Sequence, residues 1–269
     1  MTLNEAINIL ADAGIDSASH DAEELFIYFG GYYRSTIHIM YRIESDSPKL
    51  IDAVMRRAAH EPLQYITGEA YFYREKYKVT PACLIPRFDT EILVDYAVHN
   101  IPEGGEFIDL CTGSGCVAIS TLANRSDCHA TAVDISEEAL KLARENAEYN
   151  DVSERLSFVL ADLMKDAPGE ALDAVLSNPP YVTLSAYKEL QKEIYFEPEI
   201  AFVGGEDGGD FYRRITPIYK EKLKKGGFIA YEIGYDQAEL ISSVAKENGM
   251  SVEIIKDYSD NPRVAVLKK

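Results

Sequence analysis

The sequence predicts an α/β protein: a parallel, doubly wound sheet with helices on both faces, preceded by a small helical bundle and a hairpin linker. Three observations carry this. Apolar residues recur at helical spacing up to about residue 68. Residues 69–82, EAYFYREKYKVTPA, are rich in Tyr, Phe and Val with charges interleaved. From about residue 83, apolar strand-like runs alternate with amphipathic helical ones, the rhythm of βαβ units. The boundaries expected are therefore 1–68 for the helical domain, 69–82 for the hairpin or extended linker, and 83–269 for the sheet domain.

In the first domain, Thr2 can cap a helix in which Leu3, Ile7 and Leu10 share a face, ending near Gly14. Asp21 to Phe29 reads as a second helix stopped by Gly30-Gly31. Ser35 to Tyr41 is expected to form a short third one. Ser47-Pro48 opens another, with Pro48 in its first turn and Leu50, Val54 and Ala58 on one side. Helices this short need one another's apolar faces to be stable.

In the sheet domain, Glu106–Leu110 is an apolar strand followed by CTGSG and a helix from about Cys116. His129–Val133 is a strand ending at Asp134, and Ser136–Tyr149 a capped helix. Leu156–Leu160 and Asp173–Leu176 are the next strands, ending at Ala161-Asp162 and at Asn178-Pro179-Pro180-Tyr181. A long loop leads to a helix around 209–224, a strand at 228–233, a helix at 236–248 and closing strands near 251–257 and 263–267. There is no internal repeat and no low-complexity tract.

Composition narrows the function classes. The 269 residues suffice for a sizeable α/β domain with a smaller companion. A formal net charge of -18 repels phosphate backbones at long range, which disfavours bulk DNA or RNA as substrate, although acidity also serves solubility alone. Cys83, Cys111, Cys116 and Cys128 form no CxxC pair and lie in or beside apolar stretches, as buried free thiols do. His20, His38, His60, His99 and His129 are scattered without HxxxH or HxH spacing, so no metal centre is expected. The stretch MTLNEAINILADAG lacks a basic segment followed by an apolar core, and no run approaches the length of a membrane span. The expectation is a cytoplasmic protein with no membrane partner.

Ligands of open α/β sheets lie at the carboxyl ends of the strands. Three such ends carry suitable residues here. Asp109-Leu110-Cys111-Thr112-Gly113-Ser114-Gly115 is a glycine loop where backbone can turn tightly and approach a ligand. Asp134, about 20 positions beyond Gly115, can accept the two hydroxyls of a ribose. Ala161-Asp162-Leu163 is placed to border an adenine ring. Since Gly113-x-Gly115-x-x-Ala118 also satisfies a dinucleotide pattern, the loop by itself indicates an adenosine-containing ligand and no more.

Asn178-Pro179-Pro180-Tyr181 separates the candidates. An amide or aromatic amine nitrogen is a poor nucleophile that carries two N–H donors. Two fixed acceptors, the Asn178 side-chain oxygen and the Pro179 carbonyl, can hold both and aim the nitrogen at an electrophilic methyl. Proline fixes φ and offers no competing N–H, so Pro179-Pro180 is a stiff mount. Tyr181 supplies a flat wall for the substrate group. A methyltransferase has a use for this tetrad; a nicotinamide-dependent dehydrogenase has none.

These residues resemble the release factor glutamine N5-methyltransferase family (the HemK/PrmC type), over nearly the whole chain. His60-Glu61-Pro62-Leu63-Gln64-Tyr65-Ile66-Thr67-Gly68 looks like its interdomain segment. Leu84-Ile85-Pro86-Arg87-Phe88-Asp89-Thr90-Glu91 is similar to its IPRxDTE signature, with Phe88 in place of the commoner proline. Phe196-Glu197-Pro198 with Val203-Gly204-Gly205-Glu206-Asp207-Gly208 matches its EP…GGxDG loop, and Asp257-Tyr258-Ser259-Asp260-Asn261-Pro262-Arg263-Val264 its closing strands. The resemblance implies a seven-stranded, Rossmann-like methyltransferase domain whose seventh strand is antiparallel, and S-adenosylmethionine as the methyl donor. It implies methylation of the glutamine of the GGQ motif in class I peptide-chain release factors, with the helical domain binding the release factor away from the chemistry. Cofactor contacts carry over to residues 111–115, Asp134, Asp162, Leu163 and Asn178, and glutamine contacts to residues 178–181. Asp109 is read two ways, as holding the glycine loop or as touching the methionine part. Arg87, Asp89 and Glu91 are read first as ties within the domain junction. The glycine loop and NPPY are shared with DNA and rRNA adenine N6-methyltransferases, which is the second reading. A non-catalytic adenosine-binding module is the third.

Overall fold

The computed structural model describes residues 1–39, 41–42 and 44–269, with the backbone alone at His38. The chain divides into two compact units: residues 1–69 with 191–196, and residues 70–190 with 197–269.

The first unit is helical. In α1 (Leu3–Asp12) Thr2 accepts from the Glu5 amide while the Glu5 carboxylate accepts from the Thr2 amide, a reciprocal cap that satisfies two otherwise orphaned donors. α2 (Ala18–Gly30) starts three residues before the expected Asp21 and stops where Gly31 turns left-handed. α3 (Pro48–Ala58) is capped by the Ser47 side chain, and α4 (Leu63–Thr67) adds one further turn. The helix expected over Ser35–Tyr41 is instead a 3-10 turn at Ile37–Ile39, and residue 40 lies outside the described residues. β-branched Thr36, Ile37 and Ile39 disfavour α-helix, and the i→i+3 bonds of Thr36 and Ile39 close the tighter turn. Leu3, Leu10, Leu25, Phe26, Leu50 and Val54 form the core. Arg57, 3% exposed, bonds Asp21 at 2.6 Å and Glu193 at 2.6 Å, so a buried ion network fastens residues 191–196 into this unit.

The second unit opens inside β1 (Glu69–Phe72), which pairs with β2 (Glu75–Lys78) in a hairpin. A 3-10 turn at Phe88–Thr90 then leads into α5 (Glu91–Asn100), a helix absent from the sequence expectation although Leu93, Val94 and Ala97 bury one face. After it come β3 (Glu106–Leu110), α6 (Cys116–Asn124), β4 (His129–Asp134), α7 (Glu137–Tyr149), β5 (Leu156–Leu160) and β6 (Leu172–Ser177). The remainder is α8 (Leu184–Tyr187), α9 (Asp210–Lys222), β7 (Leu223–Glu232), α10 (Ala238–Glu247), β8 (Ser251–Lys256) and β9 (Pro262–Lys268). β7 begins five residues before the expected 228, because Leu223 pairs with Leu172 ahead of an irregularity and Phe228 resumes the ladder at Ala174.

The seven-stranded sheet has the order β5-β4-β3-β6-β7-β9-β8. β9 runs antiparallel to both its neighbours, and the other six strands are mutually parallel. Residues of α5, α6 and α7 pack on one face. Tyr212, Ile215 and Tyr219 of α9, with Ile241 and Val244 of α10, pack on the other. The winding reverses between β3 and β6, whose carboxyl ends lie side by side, Leu110 opposite Ser177. That switch point opens a crevice.

Candidate active site at the switch point

The loop leaving β3 owes its shape to positive φ at Cys111, Gly113 and Gly115. Gly115 is needed twice over: its φ is +84°, and a Cβ there would meet Ile119 Cδ1 at 2.7 Å and Ala143 Cβ at 3.2 Å. The loop is pinned from several sides. The Gly113 amide donates to Asp134 Oδ2 at 2.8 Å, the Thr112 amide to the Val133 carbonyl at 3.0 Å, and Asn146 Nδ2 to the Ser114 carbonyl at 3.0 Å. Asp109 sits beneath it, 1% exposed, with Oδ2 accepting from the Thr112 hydroxyl at 2.5 Å and the Ala118 amide at 3.2 Å. Burial pushes its carboxyl up to about 7, against the pull of those two hydrogen bonds. Asp134 Oδ1 also accepts from the Ser136 amide at 2.9 Å; burial raises its pKa while the backbone donors lower it.

The tetrad leaving β6 is braced from behind. The Ser177 hydroxyl donates to the Leu110 carbonyl at 2.7 Å, tying the two strand ends together. Gln237 Nε2 donates to the Tyr181 carbonyl at 3.0 Å. The glycine-rich loop lies directly on the tetrad's backbone: a Cβ at Gly204 would fall 2.2 Å from the Pro180 carbonyl oxygen, and one at Gly208 2.1 Å from that of Tyr181. Only glycine allows this approach. Asn178 Nδ2 donates to Thr90 Oγ1 at 3.2 Å. The Tyr181 hydroxyl donates to Glu232 Oε1 at 3.0 Å, and burial, ahead of the Glu232 charge, raises the Tyr181 pKa strongly.

Both loops face one cavity of about 250 Å³. Cys111, Thr112, Gly113, Ser114, Asp134, Asp162, Leu163, Asn178 and Pro180 line it, with half-exposed Ile135, Met164 and Ile200 also on its wall. Arg87 lines it too and is ion-paired with Glu197, whose other oxygen accepts from the Ile85 amide at 2.8 Å.

Known proteins resemble this chain in both its helical and its sheet part. Residues 2–68 match the family model described as the PrmC N-terminal domain, and residues 87–196 match that of a methyltransferase small domain. The release factor glutamine methyltransferase of Thermodesulfovibrio yellowstonii is 39% identical over 80% of this chain and 79% of its own. That of Moorella thermoacetica is 34% identical over 97% and 95%. The chain belongs to the release factor glutamine methyltransferase family. Among solved structures, a methyltransferase from Pyrococcus furiosus aligns with a TM-score of 0.53 at 21% identity, covering 71% of this chain and 86% of that one. A ribosomal protein L11 methylase from Lactobacillus delbrueckii subsp. bulgaricus gives 0.51 at 18%, covering 68% and 80%. Both show the fold alone.

In this family member, four expected site residues are not among those lining the cavity: Asp109, Gly115, Pro179 and Tyr181. Asp109 holds the loop from below, one of its two expected roles, and its Oδ1 has no hydrogen-bond partner among the described residues. Asp162 is at the wall, paired with Lys165 at 2.7 Å, which lowers its pKa. Leu163 is 6% exposed. Asp89 pairs with Arg263 at 3.2 Å, and Glu91 accepts from the Tyr73 amide in the hairpin turn at 2.7 Å. The sequence reading missed Thr90, Glu232, Gln237 and Asn146, whose partners all lie far away along the chain.

Proposed function

We propose that this chain methylates the side-chain amide nitrogen of the glutamine in the GGQ motif of class I peptide-chain release factors, with S-adenosylmethionine as donor. The observation that carries the reading is that Asn178 of the braced tetrad and residues 111–114 of the glycine loop share one cavity.

The lining suits the donor. The wall carries the carboxylates of Asp134 and Asp162 and the buried Ser114 hydroxyl. Acceptors of this kind fit a ligand with ribose hydroxyls and positive charge. Bound there, the donor supplies an electrophilic methyl group. Residues 111–114, Asp134, Asp162 and Leu163 would hold it, with Asp109 supporting the loop.

The chain's own contribution is alignment. The Asn178 side-chain oxygen and the Pro179 carbonyl accept the two amide hydrogens of the glutamine and fix its nitrogen. Holding reactants in line is worth up to about 7–11 kcal/mol of barrier in the best cases. No strong base is required, because the nitrogen becomes acidic on methylation and its proton leaves to water. Tyr181, its hydroxyl tethered to Glu232, stiffens the mount. The helical domain, residues 1–68, is the part proposed to bind the release factor.

Incubating the chain with labelled donor and a release factor, then locating the label by mass spectrometry, tests this. Methyl on the GGQ glutamine is expected. Label in nucleic acid with the release factor untouched would support the adenine N6 reading instead.

A further inference from the structure

An asparagine amide has nearly the same shape either way round, but only one way presents an acceptor. Turned wrongly, Asn178 would aim its N–H groups at the N–H groups of an incoming amide. We propose that Thr90 and Glu232 set the direction of the Asn178 amide, so that its oxygen is the end available to the substrate. The inference rests on the glutamine-clamp reading above and extends it to two positioning residues.

Hydrogen-bond polarity sets the direction. Glu232, at the end of β7, is 2% exposed. Its Oε2 accepts from the Thr90 hydroxyl and its Oε1 from the Tyr181 hydroxyl. A carboxylate has acceptors only, so the single hydrogen of Thr90 is committed to it. Thr90 Oγ1 then has only lone pairs left, and the group facing it at 3.2 Å must donate. Asn178 therefore turns Nδ2 to Thr90, and Oδ1 is the end that the network does not hold. Thr90 stands at the N-cap position of α5, where threonine is favoured for capping, yet its side chain makes no cap hydrogen bond. Its hydroxyl serves the network instead. Thr90 is 1% exposed, so water is a poor competitor for these bonds. Burial raises the Glu232 pKa; the Thr90 and Tyr181 hydroxyls and Arg263, on β9, lower it, and Asp89, beside Thr90, raises it.

Two substitutions separate the hydroxyl from the shape. Thr90→Val keeps the volume and removes the hydroxyl; Thr90→Ser keeps the hydroxyl. With release factor as substrate, Thr90→Val should lower kcat by roughly tenfold to a hundredfold while KM for the donor changes less than about twofold. Thr90→Ser should stay near wild type. The second readout needs no turnover: exchange of the ¹⁵N-labelled Asn178 side-chain protons, assigned by their loss in Asn178→Ala. One proton should exchange slowly in wild type and Thr90→Ser, and fast in Thr90→Val. Should Thr90→Val prove unfolded, Glu232→Gln replaces it. Its amide can donate to Thr90 and release the Asn178 orientation, so faster exchange and lower kcat are expected. Wild-type exchange in the variant would overturn the inference whatever the turnover. Wild-type protein that shows the exchange pattern but transfers nothing to the release factor would refute the glutamine reading and leave the orienting device standing.

Discussion

The two walls of the cavity are built in different ways. The glycine-loop wall is largely local: β3, its loop and α6 are consecutive, and Asp134 at the next strand end accepts from the loop's own backbone. The tetrad wall is assembled from afar. Asn178 meets Thr90 88 residues away, Thr90 meets Glu232 142 residues away, and Gln237 reaches back 56 residues to Tyr181. A locally built wall suits a ligand common to many enzymes. A wall assembled over such distances can be set only once the sheet has formed, and it is the wall proposed to hold the reacting amide. Binding of the donor and transfer to the substrate should therefore respond to different substitutions.

The largest separation is expected at Asn178. Asn178→Ala should reduce turnover by roughly 10²–10³-fold, as removal of one oriented polar group commonly does, while donor affinity measured by calorimetry stays within about threefold. Equal losses in both would merge the two walls. Asp134→Ala should do the reverse. Loss of its charge-assisted bonds should weaken donor binding about tenfold to a hundredfold, with kcat at saturation little altered. Unaltered binding would remove Asp134 from the donor site.

Glycines sharpen the contrast. Gly208→Ala forces a Cβ to within 2.1 Å of the Tyr181 carbonyl oxygen at φ +75°, and should destabilise the chain by about 1–3 kcal/mol with a clear loss of kcat. At Gly113 the nearest atom to an added Cβ is 3.6 Å away. Gly113→Ala should cost only the strain of φ +55°, about 1–2 kcal/mol, and act on donor binding. Thermal melts alongside donor titrations distinguish the two; a larger kcat loss in Gly113→Ala would invert the assignment.

Most of the sheet was legible in the sequence because strand and helix periods differ and each strand is a short apolar run. β3, with its glycine loop, and β4, with its terminal acid, were readable from consecutive residues. α5 escaped because the strand–helix rhythm starts, as expected, with β3, and nothing before it marks a helix except Leu93, Val94 and Ala97. Glu232 was hidden inside an apolar strand, FIAYEIG, with no local sign that its carboxylate meets a threonine and a tyrosine. Thr90 stands among Arg87, Asp89 and Glu91, and a lone hydroxyl carries no sequence sign of a partner 142 residues away. Asp109 was recognised, but its position beneath the loop depends on how β3 feeds α6, which spacing does not reveal.

A pH-dependent effect on stability is expected from that buried acid. The folded chain holds the Asp109 proton up to about pH 7, whereas the unfolded chain releases it near its ordinary 3.8. Between those values the folded state binds more protons, so this contribution to stability falls as pH rises, by at most about 1.4 kcal/mol per pH unit. Urea unfolding at several pH values should show a flatter profile for Asp109→Asn than for wild type. Identical slopes would mean that Asp109 titrates alike in both states.

A structure of the chain with S-adenosylhomocysteine and a release factor bearing its GGQ loop would test the central claim most directly. The account predicts the glutamine nitrogen within hydrogen-bond distance of both Asn178 Oδ1 and the Pro179 carbonyl oxygen. A glutamine amide held elsewhere in the cavity, or an Asn178 amide presenting Nδ2 to it, would contradict that claim.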